Sequence, residues 1–426
     1  MHDIVDSLVF DTVILVDSGA TTIAENLGAI RRAKQVVAFG DPVTQSPAPF
    51  TTGIPDPDDL ERVVAPEGAS DEWHAESALA RLSGLLATLS LTRSYRAGGE
   101  DLAELVNRRF YGGKIESLPW AGSFLGHPSI ALDYVEDGFG MPDGDTGAVE
   151  SVDAEVDRVV QLVLEHAAQR PRESLMVITA SQRHAVRVQQ AVLAALASSP
   201  ELSEFVIGDR PEPFTVLTIE QAVAESRDRV IFSIGFGRTP HGRVLSDFGA
   251  LGESGGERLL AVAMTRARRS MVIVSCFEPE DIDESRMRHG AVALAEILDE
   301  IGARAAEEPL PDDSDPMLVD LARRLQARGL TVALGHRGKL GLVASHLGMC
   351  ATIETDTVLQ RGSLRESLRL RPELLRRLGW HYHRVHVFEL FSDPDSVAAG
   401  VVKLLGAEGL TAVTEPLAVV PSLSRA

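Results

Sequence analysis

Apolar residues fall into two rhythms along this chain. Short unbroken Val/Ile/Leu/Phe runs at residues 8–16 and 35–39, each bounded by Asp or Gly, predict strands buried in a parallel sheet. Between them "TIAENLGAIRRAKQ" has helical spacing, which makes a β-α-β unit, and residues 73–90 predict an amphipathic helix. A second series starts near Leu91. Helices "EDLAELVNRRF", "VDAEVDRVVQLVLEHAAQ", "RHAVRVQQAVLAALA" and "GGERLLAVAMTRARR" accompany strands "SLMVITA", "FTVLTI", "RVIFSIGFG" and "SMVIVSCF". Strands interleaved with helices of this length predict an α/β fold with parallel sheets covered on both faces. Residues 304–316, acidic and proline-rich, read as a linker. Beyond them a compact unit is expected. It holds a helix at 317–328, strands "LTVALG", "KLGLVAS" and "CATIETD", an arginine-rich helix at 363–378, the segment "WHYHRVHVFELF" read as a strand, and a last helix at 394–405. The organisation expected is therefore 1–90, 91–303, the linker, 317–410 and a tail at 411–426.

Composition narrows the class. A length of 426 residues allows two or three domains. Two cysteines, Cys276 and Cys350, both in apolar runs, argue against a disulfide framework and a four-ligand zinc site, so a reducing cytoplasm is expected. No apolar run approaches the roughly 20 residues that span a bilayer, and the N-terminus lacks a basic-then-apolar signal pattern. The formal charge of −21 repels a polyanion at long range, so any nucleic-acid contact needs a local basic surface.

Ligands of an open α/β sheet sit at the carboxyl ends of its strands. Asp17 and Asp41 lie there, in "VILVDSGATT" and "VVAFGDPVTQSPAPF". One aspartate can hold Mg²⁺ through water and the other sense a nucleotide γ-phosphate; capping its own turn or helix is the commoner fate of such a residue. Later stretches add arginines. Arg96 precedes a helix in "SYRAGGEDLAELVNRRFYGGKI", Thr218 and Glu220 end a strand in "VLTIEQAVAESRDRVIFS", and Arg258, Thr265, Arg266 and Arg268 are expected on a helix running into a strand in "ERLLAVAMTRARRSMVIVS". A guanidinium so placed can offset charge developing on a γ-phosphoryl group; each taken singly also suits a solvated basic face.

In this order the five stretches resemble motifs II to VI of superfamily 1 helicases, of the nonsense-decay and replication helicase group, over about residues 8–276. The resemblance implies two RecA-like, P-loop-NTPase-type lobes, the first incomplete and the second complete, with ATP, Mg²⁺ and DNA or RNA (DNA favoured) as ligands. It implies Asp17, Asp41, Gln45, Arg96 and Arg266 at the reacting phosphates, Asp17 on the metal side. Arg96, Glu220, Arg258 and Arg266 would contact nucleotide, and Thr218 and Thr265 nucleic acid. The departures are specific. Ser18 replaces the acidic residue that orients water, Thr44 aligns with the motif III glutamine beside Gln45, and Val223, Ala224 and Ser226 replace the Gln-Gly and Glu of motif V. Ala261 replaces the motif VI asparagine. No G-x-x-x-x-G-K-[ST] string occurs in the chain, so the backbone cradle and lysine for the phosphates are missing. Few residues precede the first strand, so that segment is expected from an upstream stretch in cis or in trans, and the chain alone is expected not to hydrolyse ATP.

"KLGLVASHLGMCATIETD" and "RPELLRRLGWHYHRVHVFELFSDPDSVA" resemble the small PD-(D/E)XK endonuclease domain related to very-short-patch-repair enzymes. This implies a restriction-endonuclease-like α/β domain with Glu354 and Asp356 on the metal. The first carboxylate of the pattern aligns with Gly341, and Gln360 stands at the family histidine, so weak Mg²⁺ binding and a non-cleaving domain are expected. Arg365, Arg369, Arg371, Arg376 and Arg377 offer a DNA-contacting or merely solvated face, with Arg369 and Arg376 the nucleic-acid candidates. The histidines of "HYHRVH" are expected on an exposed strand face.

Overall fold

The computed structural model describes residues 9–47, 76–93, 99–144, 147–196, 199–303, 315–356 and 363–407. Internal contacts divide the chain into two units, residues 1–91 and 92–426. In the first, β1 (Phe10–Leu15) and β2 (Ala33–Ala38) pair in parallel from Phe10↔Ala33 to Leu15↔Ala38. The crossover helix Ile23–Ile30 starts on a capping box, the Thr22 hydroxyl accepting from Glu25 N–H while the Glu25 carboxylate takes the Thr22 N–H. Two expectations fail here. The strand expected to be buried is mostly exposed, Ile14 by 60%, and only Leu15 is covered. Among the described residues two strands and short helices supply no second layer over β1. The helix expected over 73–90 is, within 76–93, only Ala78–Ser83. Its start is tied to the β1 turn by Ala78 N–H to Thr21 O (2.6 Å) and Leu79 N–H to Ser18 O (3.0 Å).

The second unit holds two sheets. β3 (Ile130–Tyr134), β4 (Leu175–Thr179), β5 (Thr215–Thr218), β6 (Arg227–Ser233) and β7 (Ala267–Ser275) form a parallel sheet in the order β3-β7-β6-β4-β5. Every residue of β4 is buried, the outcome expected of a central strand whose sequence is an unbroken apolar run. β3 and the helix Gly290–Ala303 are elements that the sequence pattern did not predict. The helix expected to run through "TRARR" instead ends at Met264, and the chain is already extended at Ala267. Of the residues expected on that helix, only Arg258 lies on it.

β8 (Thr331–His336), β9 (Leu340–His346) and β10 (Met349–Thr355) form an antiparallel meander, and β11 (His381–Val385) joins β10 in parallel. Leu321 and Leu325 of helix Pro316–Ala327, with Val401 of helix Pro394–Leu404 and its C-cap Leu405, cover one face with Leu342 and Ile353. Val343 and Cys350, alternating with those strand residues, face Ala121, Leu375 and Trp380. The arginine-rich stretch divides into a π-helical turn, Glu366–Leu370, and the helix Arg371–Arg377. Beyond Val385 the expected strand does not continue: the helix Val387–Ser392 begins after His386, with Asp356 Oδ1 accepting the Val387 N–H at 3.1 Å. Among the described residues no helix is long and apolar enough to cross a membrane.

The sheets of the second unit are joined through specific polar contacts. Trp380 Nε1–H donates to Pro119 O (2.7 Å) and Ala121 N–H to Leu378 O (3.0 Å). The β8–β9 turn brings Arg337 and Lys339 to 3.4 and 3.5 Å from Glu100, at the start of helix Glu100–Phe110. Glu100 is 1% exposed, and burial pushes its carboxyl up to about 7 against the pull of both cations. A carboxyl whose folded pKa lies above its unfolded value holds its proton longer when folded. Stability is therefore expected to fall as pH rises from 4.5 to about 7 and to level off above that. Glu100→Gln should flatten this part of the urea-midpoint profile; an unchanged slope would remove Glu100 as its source.

Candidate functional site

The paired ends of β1 and β2 bring Asp17, Asp41 and Gln45 into one hydrogen-bonded group. Asp17 follows β1 with φ 54°, a left-handed conformation that aspartate tolerates better than most residues. Ser18 binds Phe39 O through both its N–H and its hydroxyl, each at 2.9 Å, locking the two strand ends together. Gln45 then bridges the carboxylates' turns: Nε2–H donates to Asp17 Oδ1 (2.7 Å) and Oε1 accepts the Asp41 N–H (2.9 Å). Asp41 caps its own loop, Oδ1 accepting from Val43 N–H (2.9 Å) and Oδ2 from the Thr44 hydroxyl (2.6 Å). Thr44, aligned by sequence with the family glutamine, is thus turned onto Asp41, and Gln45 is the residue that reaches Asp17. Two glycines permit the approach. A Cβ on Gly19 would lie 2.6 Å from Gln45 Oε1, and one on Gly40 would lie 2.8 Å from Gly19 N. Asp17 remains exposed, whereas Ser18 is wholly buried, so a carboxylate at 18 would have no access to solvent without breaking the strand-end lock.

In the parallel five-stranded sheet, Arg266 joins two of the expected motifs. It is 6% exposed, with Nε–H donating to Val262 O (2.9 Å), Nη1–H to Val223 O (2.6 Å) and Nη2–H to Thr265 Oγ1 (2.8 Å). The guanidinium therefore closes the C-terminus of helix Gly256–Met264, where a cation is favoured by the helix dipole, and ties it to the turn after β5. The Thr265 hydroxyl donates back to Val262 O at 2.9 Å. Thr218, at the end of β5, is buried, and its N–H donates to Gln221 Oε1 (3.1 Å). Glu220 is exposed and Arg258 half-buried; they form no ion pair with each other among the described residues. Arg96 lies outside the described residues, as does Gln360. Arg268 leaves the helix for β7 and pairs with Glu212 and Asp228; the Arg268 contact holds the Glu212 carboxyl down at about 2.

A buried chain that the sequence pattern did not reveal braces the carboxyl ends of β4, β6 and β7. Glu155 Oε1 accepts from the Ser233 hydroxyl (2.6 Å) and Gly235 N–H (2.8 Å), and Cys276 donates its thiol proton to Oε2 at 3.4 Å. Ser233 Oγ in turn faces His184 Nε2 at 2.7 Å, and His184 Nδ1 faces Ser151 Oγ at 2.9 Å. Burial lowers the His184 pKa, so the network assigns a neutral ring that accepts from Ser151 and donates to Ser233. These side chains are at most 2% exposed, which makes the chain a brace with no opening for a substrate. Its members come from separate elements, and no local spacing marks them.

In the C-terminal sheet the two expected metal carboxylates are spent separately. Glu354, 3% exposed, accepts from Arg371 Nε–H (2.8 Å) and is ion-paired to Nη2 at 2.7 Å, while Nη2–H donates to Lys339 O (2.8 Å). Asp356 caps helix Val387–Ser392, and the Val387 N–H holds its carboxyl below the usual range. A Cβ on Gly341 would lie 3.0 Å from Leu318 Cδ1, so that strand position faces a helix. Among the described residues no group of three or more His, Cys, Asp or Glu side chains is placed to hold a metal ion. Arg365, Arg369, Arg376 and Arg377 are exposed; Arg369 pairs with Glu373 at 3.6 Å, and Arg376 lies 5.8 Å from the Tyr382 ring centroid. His381 is exposed, and His383 is half-buried, which lowers its pKa.

These sites sit on an α/β protein whose two-stranded and five-stranded sheets are parallel and whose C-terminal sheet is mixed. No family model matches the chain. It is distantly similar to an uncharacterized ATP-dependent helicase of Mycoplasma genitalium, 24% identical over 296 residues, which cover 68% of this chain and 25% of that protein. The chain thus spans about a quarter of that relative's length. Among solved structures, the C-terminal domain of a possible DNA helicase from Lactobacillus WCFS1 aligns at 13% identity and a TM-score of 0.25, covering 46% of this chain and 98% of that one. The large terminase of bacteriophage HK97 aligns at 12% identity and a TM-score of 0.24, covering 70% and 75%. At those scores neither superposition carries an argument about this chain.

Removing Arg371 leaves a buried carboxylate without its counter-charge. Arg371→Met should cost about 3–5 kcal/mol in urea unfolding, and Glu354→Leu with Arg371→Leu should recover most of it. A loss under about 1 kcal/mol would mean that the pair is solvated.

Proposed function

We propose that this chain is the later half of an ATP-dependent superfamily 1 DNA or RNA helicase, followed by a nuclease-like domain that does not cleave. The observation that carries this reading is the Asp17–Gln45–Asp41 group at the ends of two paired parallel strands. An exposed aspartate hydrogen-bonded to a glutamine, with a second aspartate anchoring the glutamine's loop, suits the metal-side and phosphate-sensing end of a nucleotide site. The 24% identity to a helicase supports the same reading. Nucleic acid is the proposed partner, through the exposed Arg369 and Arg376 and the region of Thr218 and Thr265.

ATP with Mg²⁺ fits the residues present only in part. Asp17 suits the metal side, but the sequence has no G-x-x-x-x-G-K-[ST] loop to wrap the phosphates. No hydrolytic step is therefore assigned to this chain alone, and a P-loop-bearing segment, in cis or in trans, is its proposed complement. A second reading, a catalytically inactive nucleic-acid- or protein-binding scaffold, is favoured by two observations. The Arg266 guanidinium is already occupied by the carbonyls of Val223 and Val262, and Ser18 is buried where a water-orienting acid would stand.

Calorimetry on the 426-residue chain is expected to give no micromolar binding of ATP with Mg²⁺; clear micromolar binding would overturn the incomplete-site reading. Single-stranded DNA binding separates nucleic-acid binding by this chain from the protein-binding form of the scaffold. For nucleic-acid binding through the arginine face, replacing Arg369 and Arg376 by Ala should weaken affinity and flatten the logarithmic salt slope by roughly 1.4, the value for two lost phosphate contacts. Absence of DNA binding by the unaltered chain would remove the nucleic-acid-binding form of the scaffold and the role of the arginine face.

A further inference from the structure

The five-stranded sheet ends at β3, a strand with one side unclaimed. Two backbone bonds, Met271 N–H to Ser129 O and Val135 N–H to Ser275 O (each 2.8 Å), fix which residues of this segment face β7. In a parallel ladder alternate residues bond a given neighbour, so Leu132 and Tyr134 turn their N–H and C=O groups to the open side. Among the described residues no strand takes them. An edge of this kind is a template for one more strand.

Beside the end of β3 lies a cleft of about 620 Å³. Helix Asp153–Gln169 packs against β6 and β7, and its Ala154, Asp157, Gln161 and Leu164, which helical spacing puts on one face, form the opposite wall. The charge of the cleft is one-sided. Arg158 is the basic side chain of its lining, and it is committed to Asp133 through Nε–H (3.0 Å to Oδ1) and Nη2–H (2.7 Å to Oδ2). The nearby Arg238 is buried against the Phe139 ring, 4.3 Å from its centroid, and donates to Glu136 O. Glu136, Asp137 and Asp157, also in the lining, are exposed and form no ion pair among the described residues.

This combination selects the occupant. A second copy of the chain carries the same acidic edge and a formal charge of −21, and a nucleic-acid strand is a polyanion, so both are repelled. Free backbone donors and acceptors beside the carboxylates suit a polypeptide with cationic side chains. We propose that the edge of β3 and its cleft dock an extended, lysine- or arginine-bearing segment of a partner protein. The segment adds a strand to the sheet and sets its cations against Glu136, Asp137 and Asp157. This surface stands independently of the helicase reading.

A fluorophore-labelled peptide of about six alternating Lys and Val residues, capped at both ends, is the probe. Its anisotropy is titrated with the full chain at about 0.15 M salt. Saturable binding is expected, and it should weaken about tenfold in Glu136→Gln with Asp137→Asn and Asp157→Asn, which removes three ion pairs. These exposed substitutions should leave the urea midpoint unchanged. Neutralising as many carboxylates elsewhere, by Glu201→Gln with Glu253→Gln and Glu257→Gln, should leave affinity within about twofold. Methylating the peptide's backbone nitrogens on either the Lys or the Val set keeps its charge but removes one row of ladder donors. One of these two peptides should bind about tenfold more weakly than the parent. No saturable binding, equal loss in the two triple variants, or unaltered binding of both methylated peptides overturns the proposal. Displacement of the peptide by a single-stranded oligonucleotide overturns it as well.

Discussion

A charge taken out of water has to be answered where it stands, and that constraint shapes nearly every polar residue of interest in this chain. Glu354 is answered by Arg371, Arg266 by the carbonyls of Val223 and Val262, and Glu100 by Arg337 and Lys339. Each of these side chains has chemistry that could serve a ligand, yet each is held by an internal partner. The exposed Asp17 is the exception: its contact is a neutral glutamine, which orients the carboxylate without cancelling its charge.

The same constraint links the two sheets of the second unit. Lys339 faces Glu100 on one side, while its carbonyl accepts from Arg371, the counter-ion of Glu354, on the other. Arg93 forms ion pairs with Glu116 and with Glu366 of the π-turn. Contacts made with residues ahead of the parallel sheet thus reach the C-terminal sheet. A change in the π-turn would be felt at Arg93, and a change in the β8–β9 turn at Glu354. These links are ion pairs and one backbone carbonyl, distinct from the apolar contacts of Leu375 and Trp380.

Much of the secondary structure could be read from periodicity, because strongly patterned segments such as 100–110, 153–169 and 175–179 satisfy their hydrogen bonds locally or within a fully buried strand. Errors fell where tertiary contacts override pattern. "TRARR" continues a helical rhythm, but Arg266 turns its guanidinium back to close the helix, and pairing with β6 draws the following residues into β7. "HYHRVH" alternates like a strand, but beyond Val385 the Asp356 carboxylate caps a helix. β1 reads as buried, yet burial requires a second layer, which local sequence does not report.

The amino-acid order by itself determined the alternation of strands and helices, the placing of Asp17 and Asp41 just beyond strand ends, and the lack of a phosphate-wrapping loop, because each of these is a matter of spacing along a few residues. Only the tertiary structure decided that Gln45 and not Thr44 reaches Asp17, that Arg371 occupies Glu354, and that Glu155, Ser233 and His184 meet in one buried chain. Those outcomes depend on which distant segments lie within a few ångströms of one another, and on how much water is left between them.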